Sequence, residues 1–126
     1  MAAPGKLLFS RDHEWVRLDG GSARVGITDF AQDALGDVVF VQLPSMGATV
    51  TSGQSVSEVE STKSVSDIYS PLNGTISAVN VDLESDPSLL NSDPFGLGWI
   101  YELSVDVDVD LGQLIDEDAY RRFVKE

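Results

Sequence analysis

Lys63 sits in the stretch VESTKSVSDIYSP, from Val59 to Pro71. Small side chains surround it (Ser61, Thr62, Ser64 and Ser66), and carboxylates flank them at Glu58, Glu60 and Asp67. The other lysines of the chain, Lys6 and Lys125, lie near its ends. An amine on a long stem, at the tip of a turn between strands and among small neighbours, is open to an enzyme that modifies it. Two other readings compete. A Schiff-base lysine needs burial or a cationic neighbour, and three nearby carboxylates supply the reverse by stabilising the ammonium. An ordinary solvated lysine needs no explanation, and residue types alone favour it.

Little else in the chain could do chemistry. His13 is the single histidine and has no cluster of ligands to join for a metal site. A Ser-His-Asp arrangement lacks a supporting motif such as a nucleophile elbow. Neither glycine-rich phosphate loop occurs. Cysteine is absent, which excludes disulfides, thiolate metal sites and a cysteine nucleophile. The run VDVDVD, Val105 to Asp110, lacks the glycine turn and bidentate glutamate of a calcium loop and is expected to be a solvated strand edge.

The elements that position Lys63 are short strands between turn signals. Trp15 to Leu18 and Ala23 to Ile27 form a hairpin across Asp19-Gly20-Gly21. Thr28 caps a short helix through Leu35 that Gly36 ends, with Phe30, Ala31, Ala34 and Leu35 on one apolar face. Val38 to Leu43 is apolar on both faces, so a buried strand is expected. Val56 to Glu60 and Val65 to Tyr69 flank the lysine, and Thr75 to Val81 follows the turn at Pro71 to Gly74. Asp86-Pro87 opens at most a short helix through Leu90. Trp99 to Val105 alternates as a half-buried strand, and Asp116 caps a final helix with Ala119, Tyr120, Phe123 and Val124 on one face.

The chain has 126 residues, which suits one compact domain, here expected over 1–126. Its formal net charge of -13 makes nucleic acid and anionic membranes poor partners. No apolar run approaches a membrane span, and the start MAAPGKLLFSRDHEW lacks a signal peptide's apolar stretch. A complete, cytoplasmic, monomeric protein is expected.

The spacing around the lysine changes the balance between these readings. Glu60 stands three residues before Lys63 and Gly74 eleven after it. The segments HEWVR (His13 to Arg17), VGITDFAQDALGDVVFVQLP (Val25 to Pro44), SDIYSPLNG (Ser66 to Gly74), LLNSDPFGLGWI (Leu89 to Ile100) and DEDAYRRF (Asp116 to Phe123) follow in order. Together they resemble the H proteins of the glycine cleavage system over nearly the whole chain. The resemblance implies a mainly β fold, the small lipoyl/biotinyl-type barrel-sandwich hybrid with a few short helices and a lysine at a β-hairpin tip. It implies a non-catalytic, bacterial carrier whose cofactor is lipoic acid, covalently attached at Lys63. In such a system a pyridoxal-phosphate glycine decarboxylase loads an aminomethyl group on the lipoyl-lysine arm. An aminomethyltransferase passes it to tetrahydrofolate, and an FAD-dependent dihydrolipoyl dehydrogenase reoxidises the arm.

The same resemblance assigns roles to other residues. Glu60 and Gly74 match recognition positions for the lipoate-attaching enzyme, and Asn73-Gly74 also suits a turn with positive φ. Glu14 and Asp67 match positions that hold the loaded amine, and Asp12 replaces a small hydroxyl residue beside them. Holding a cationic, hydrolysis-prone amine needs an anionic partner and exclusion of water. Thr62 and Ser64 depart from the family's valine and alanine but stay small. The biotin carriers are the nearest rival, and their usual methionines beside the lysine are missing. From other classes, an enzyme using Lys63 predicts turnover by the chain alone. A plain acidic interaction module predicts that Lys63→Arg is harmless.

Overall fold

The computed structural model describes residues 6–106 and 108–125. Among these, nine strands form two antiparallel sheets, with four short helices at their margins. The larger sheet has the order β1-β2-β3-β9-β8-β5, built from β1 (Lys6–Phe9), β2 (Glu14–Asp19), β3 (Ser22–Ile27), β9 (Tyr101–Ser104), β8 (Gly74–Val79) and β5 (Thr49–Val50). The smaller has the order β4-β6-β7, from β4 (Val38–Gln42), β6 (Ser55–Ser61) and β7 (Val65–Tyr69). The helices are α1 (Asp29–Leu35), α2 (Asp82–Ser85), α3 (Leu89–Ser92) and α4 (Glu117–Val124). This is a mainly β, two-sheet architecture rather than a closed barrel.

The main core lies between the sheets. Val16, Val25 and Leu103 of the larger sheet pack in one cluster with Val41, Val59 and Ile68 of the smaller. A second, aromatic cluster joins Phe9, Trp15 and Tyr120, and so fastens α4 to β1 and β2. Phe9 stacks on Tyr120 with ring centroids 4.7 Å apart. Phe9 and Ile115 also exchange two backbone hydrogen bonds of 2.8 Å, which carry the chain back to β1 just before α4.

Local chemistry explains most boundaries. Asp19 pairs with Ser22 across a two-residue turn, and Gly20 supplies the left-handed φ of 61°. Thr28 Oγ1 accepts from Ala31 N at the start of α1, and Gly36, at φ 79°, ends it. Asp116 caps α4 in the same way through Ala119 N.

Several expectations need correction. β4 is not buried on both faces, because among the described residues the three-stranded sheet is covered on one face only: Val38 and Val41 are buried, Val39 and Phe40 exposed. Two short helices, α2 and α3, replace the single one expected from Asp86, with Pro87 in the link between them. The last strand spans only Tyr101–Ser104. Val105, Asp106 and 108–110 are irregular rather than a strand edge, and Val107 lies outside the described residues. Gly74 opens β8 and is not among the glycines with positive φ. Its reason is crowding: a Cβ there would stand 2.7 Å from the carbonyl oxygen of Ser104. β1 and the two-residue β5 had no alternation by which to be recognised.

Candidate functional site

Lys63 is exposed in the turn between β6 and β7. The turn closes on itself. Ser61 N donates to Ser64 O at 2.8 Å. Ser61 Oγ accepts from Lys63 N at 3.2 Å and Ser64 N at 3.1 Å. The small hydroxylated neighbours therefore build the turn as well as leaving space around the amine.

A second set of bonds fixes where the turn points. Thr62 N donates to Asp37 O at 3.0 Å, in the link between α1 and β4. Asn91 of α3 clamps that link on both sides of Asp37. Its Nδ2 donates to Gly36 O at 2.8 Å, and its Oδ1 accepts from Val38 N at 2.9 Å. Nδ2 also donates to Gln32 Oε1 at 3.1 Å. The Lys63 stem lies over Gly36, where an added Cβ would stand 3.0 Å from Lys63 Cε. Glycine thus ends the helix and leaves a bare shelf for the lysine.

Beyond this shelf a cleft of about 260 Å³ opens. Phe30, Ala31, Ala34 and Leu35 of α1 form one wall, which is what the helix does with its apolar face. Ser66, Asp67 and Ile68 of β7 form another, and Asp12 and His13 close one end. Asp67 Oδ1 accepts from Ser55 Oγ at 3.3 Å. Asp12 and Asp67 are exposed and line the same cleft.

Glu14 is placed differently. It is 1% exposed and does not line the cleft. Its Oε1 accepts from Ser10 Oγ at 2.8 Å and its Oε2 from Tyr69 N at 3.1 Å. Burial raises its pKa to about 8 against the lowering effect of these two bonds, so the carboxyl is protonated through most of the neutral range. Glu14 is therefore not a solvated surface carboxylate. Glu14 instead joins two segments: Ser10 Oγ also accepts from Asp12 N at 3.2 Å, and Tyr69 follows Asp67 by two residues on β7.

His13 adopts a left-handed φ of 68°, an uncommon conformation for a residue with a side chain. Its Nδ1 and Thr28 Oγ1 each share a hydrogen bond with Tyr120 Oη, at 2.9 and 2.7 Å. Burial lowers the His13 pKa, against the raising effect of Asp12. The α4 hydroxyl thereby braces both the N-cap of α1 and the end of the cleft.

The structure brings Glu60 close to Lys63, since Glu60 pairs with Val65 across the turn. Gly74 belongs to the other sheet. Sequence reasoning missed Asn91 and the shelf at Gly36. The signals were slight: one polar residue after Leu90, and a glycine already explained as a helix stop.

The family model described as glycine cleavage H-protein matches residues 7–126. The chain belongs to the glycine cleavage H-protein family. A glycine cleavage system H protein of Mycobacterium avium (strain 104) is 55% identical over 123 residues, covering 94% of this chain and 93% of that one. Another, of Mycobacterium sp. (strain KMS), is 55% identical, covering 98% and 97%. The crystal structure of a glycine cleavage system H protein from Mycobacterium marinum is similar with a TM-score of 0.88 at 42% identity, covering 98% of this chain and all of that one. As a family member the chain is a lipoyl carrier of the glycine cleavage system, working with the system's enzymes and not itself catalytic. No helix among the described residues is long and apolar enough to cross a membrane.

Proposed function

We propose that Lys63 is the lipoyl attachment residue of a single lipoyl-bearing domain spanning 1–126. The observation that carries this is an exposed lysine on a self-closed turn, its stem over the bare Gly36 shelf that leads to an apolar cleft. The neutral Lys63 amine attacks the carboxyl carbon of an adenylated lipoate. The amide bond forms, the bond to AMP breaks, and the amine's proton leaves to solvent. Once bound, lipoate supplies the sulfur chemistry by which an aminomethyl group is accepted and released.

The partners in this proposal are the pyridoxal-phosphate glycine decarboxylase, the tetrahydrofolate-dependent aminomethyltransferase and the FAD-dependent dihydrolipoyl dehydrogenase, in that order. The cleft shelters the loaded amine: α1 excludes water, and Asp12 and Asp67 provide negative charge. Glu14 acts from behind this pocket, as the buried acid that holds both carboxylate-bearing segments in place, and does not itself meet the amine. Glu60 serves the attaching enzyme. Gly74 serves it by keeping β8 against β9. The acidic surface steers docking onto basic rims, so association with the decarboxylase weakens as salt rises. A cytoplasmic location rests on the bacterial relatives.

Intact mass and peptide mapping after incubation with lipoate, ATP and a lipoate ligase test the proposal. One lipoyl increment on the Lys63 peptide, absent in Lys63→Arg, is expected. No increment where a control lipoyl domain is modified would leave an acidic interaction module as the better reading.

A further inference from the structure

Among the described residues the lysine-bearing sheet has one open face, and part of that face is apolar. Phe40, Glu60 and Val65 are direct cross-strand partners on β4, β6 and β7, so they share one face as a row. Phe40 is 51% and Val65 60% exposed. Val39, displaced by the bulge between Val38 and Phe40, is 54% exposed beside them. The next row on the same face is Gln42, Glu58 and Asp67. β4, β6 and β7 contain no lysine or arginine. An apolar row interrupted by one carboxylate, with more carboxylates behind it, fits a partner surface that is apolar and cationic.

The lysine decides which partner that is. An attaching enzyme must enclose Nζ itself, one side-chain length from the turn, and Val65 follows Lys63 by only two residues. Adjacent strands lie about 5 Å apart, so Phe40 is only about 10 Å from Val65 across the row. An enzyme that reaches the amine meets this face. The enzymes that act on the sulfurs work at the far end of the arm and need not approach it.

We infer that the open face beside Lys63, with Phe40 and Val65 flanking Glu60, is the docking surface for the lipoate-attaching enzyme. This rests on Lys63 as the attachment residue and extends it: Phe40 and Val65 set the affinity, and Glu60 meets a cationic group between them.

The test is lipoyl transfer by a lipoate ligase with lipoate and ATP, followed by intact mass at several carrier concentrations. Phe40→Ser and Val65→Ser are each expected to lower kcat/KM about fivefold, through KM, and the pair more than about twentyfold. Phe40→Leu stays within about twofold. Met46→Ser, another exposed apolar residue that lies past the opposite end of β4 from the lysine, is unchanged. A folding defect raises the apparent KM only in proportion to the carrier it removes, so carrier concentrations are first corrected to the final fraction modified, and a KM still raised after that correction reports docking. Serine variants with the wild-type kcat/KM overturn the inference. So do serine variants that are lipoylated normally yet are loaded slowly by the glycine decarboxylase, which would assign the face to that enzyme. Failure of the underlying reading is seen separately, as a wild-type chain without an increment on the Lys63 peptide.

Discussion

The amide of Thr62 donates to the carbonyl of Asp37 at 3.0 Å, and this bond ties the lysine turn to the link between α1 and β4. Asp37 is itself held by neighbours on both sides, because Asn91 bonds Gly36 O and Val38 N. The position of the lysine therefore depends on Asn91, far from it in sequence, whose side-chain hydrogen bonds go to Gln32, Gly36 and Val38 and not to Lys63.

Asn91→Ala should cost about 1–3 kcal/mol, since it leaves half-buried backbone groups without partners. Its specific signature is local: the Thr62 amide should exchange hydrogen much faster, while amides of the β2–β3 hairpin slow or quicken only with global stability. Equal loss of protection in both places would reduce Asn91 to a general packing residue.

Glu14 predicts an unusual pH dependence. Its folded pKa of about 8 lies above its ordinary 4.5, so between these values the folded state binds a proton that the unfolded chain has released. Its contribution is present below pH 4.5 and is lost as pH rises toward 8, with a slope of up to about 1.4 kcal/mol per pH unit. Glu14→Gln removes this term. Denaturant titrations at several pH values should show the variant gaining on the wild type from pH 5 to 8, and parallel curves would exclude a protonated Glu14.

Gly74→Ala should destabilise the fold by about 1–3 kcal/mol, because its Cβ would meet backbone rather than a movable side chain. A lowered melting temperature with normal lipoylation of the folded fraction is expected. An unchanged melting temperature with slow lipoylation would restore a direct recognition role.

The parts of the fold that were readable in the sequence are those governed by local bonds. Thr28, Gly36, Asp116 and Asp19-Gly20-Gly21 mark their own boundaries, because a cap or turn needs only its nearest neighbours. Burial was harder to read. Val38-Val39-Phe40-Val41 looks equally buried throughout, and only the number of strands and the missing cover show that Val39 and Phe40 face outward. The apolar face of α1 was legible by its spacing, but only the fold shows that it does two things: Ala31 and Leu35 pack against the core, and the same face lines a cleft. In the site, Lys63 and Glu60 stood out by spacing. Glu14 resembled Asp12 and Asp67 in chemistry, and only the tertiary fold separates a buried acid, its pKa raised by burial, from two exposed carboxyl groups. Asn91 was invisible for the same reason, since all three of its partners belong to another part of the chain.

The lysine turn keeps its shape and its aim in separate places. Ser61 and Ser64 close the loop without outside help, whereas Asp37 and Asn91 decide its direction. A protein engineer could therefore transplant the four-residue turn onto another hairpin as a modifiable handle. Rebuilding only the link after α1 would instead swing an intact handle through a new arc.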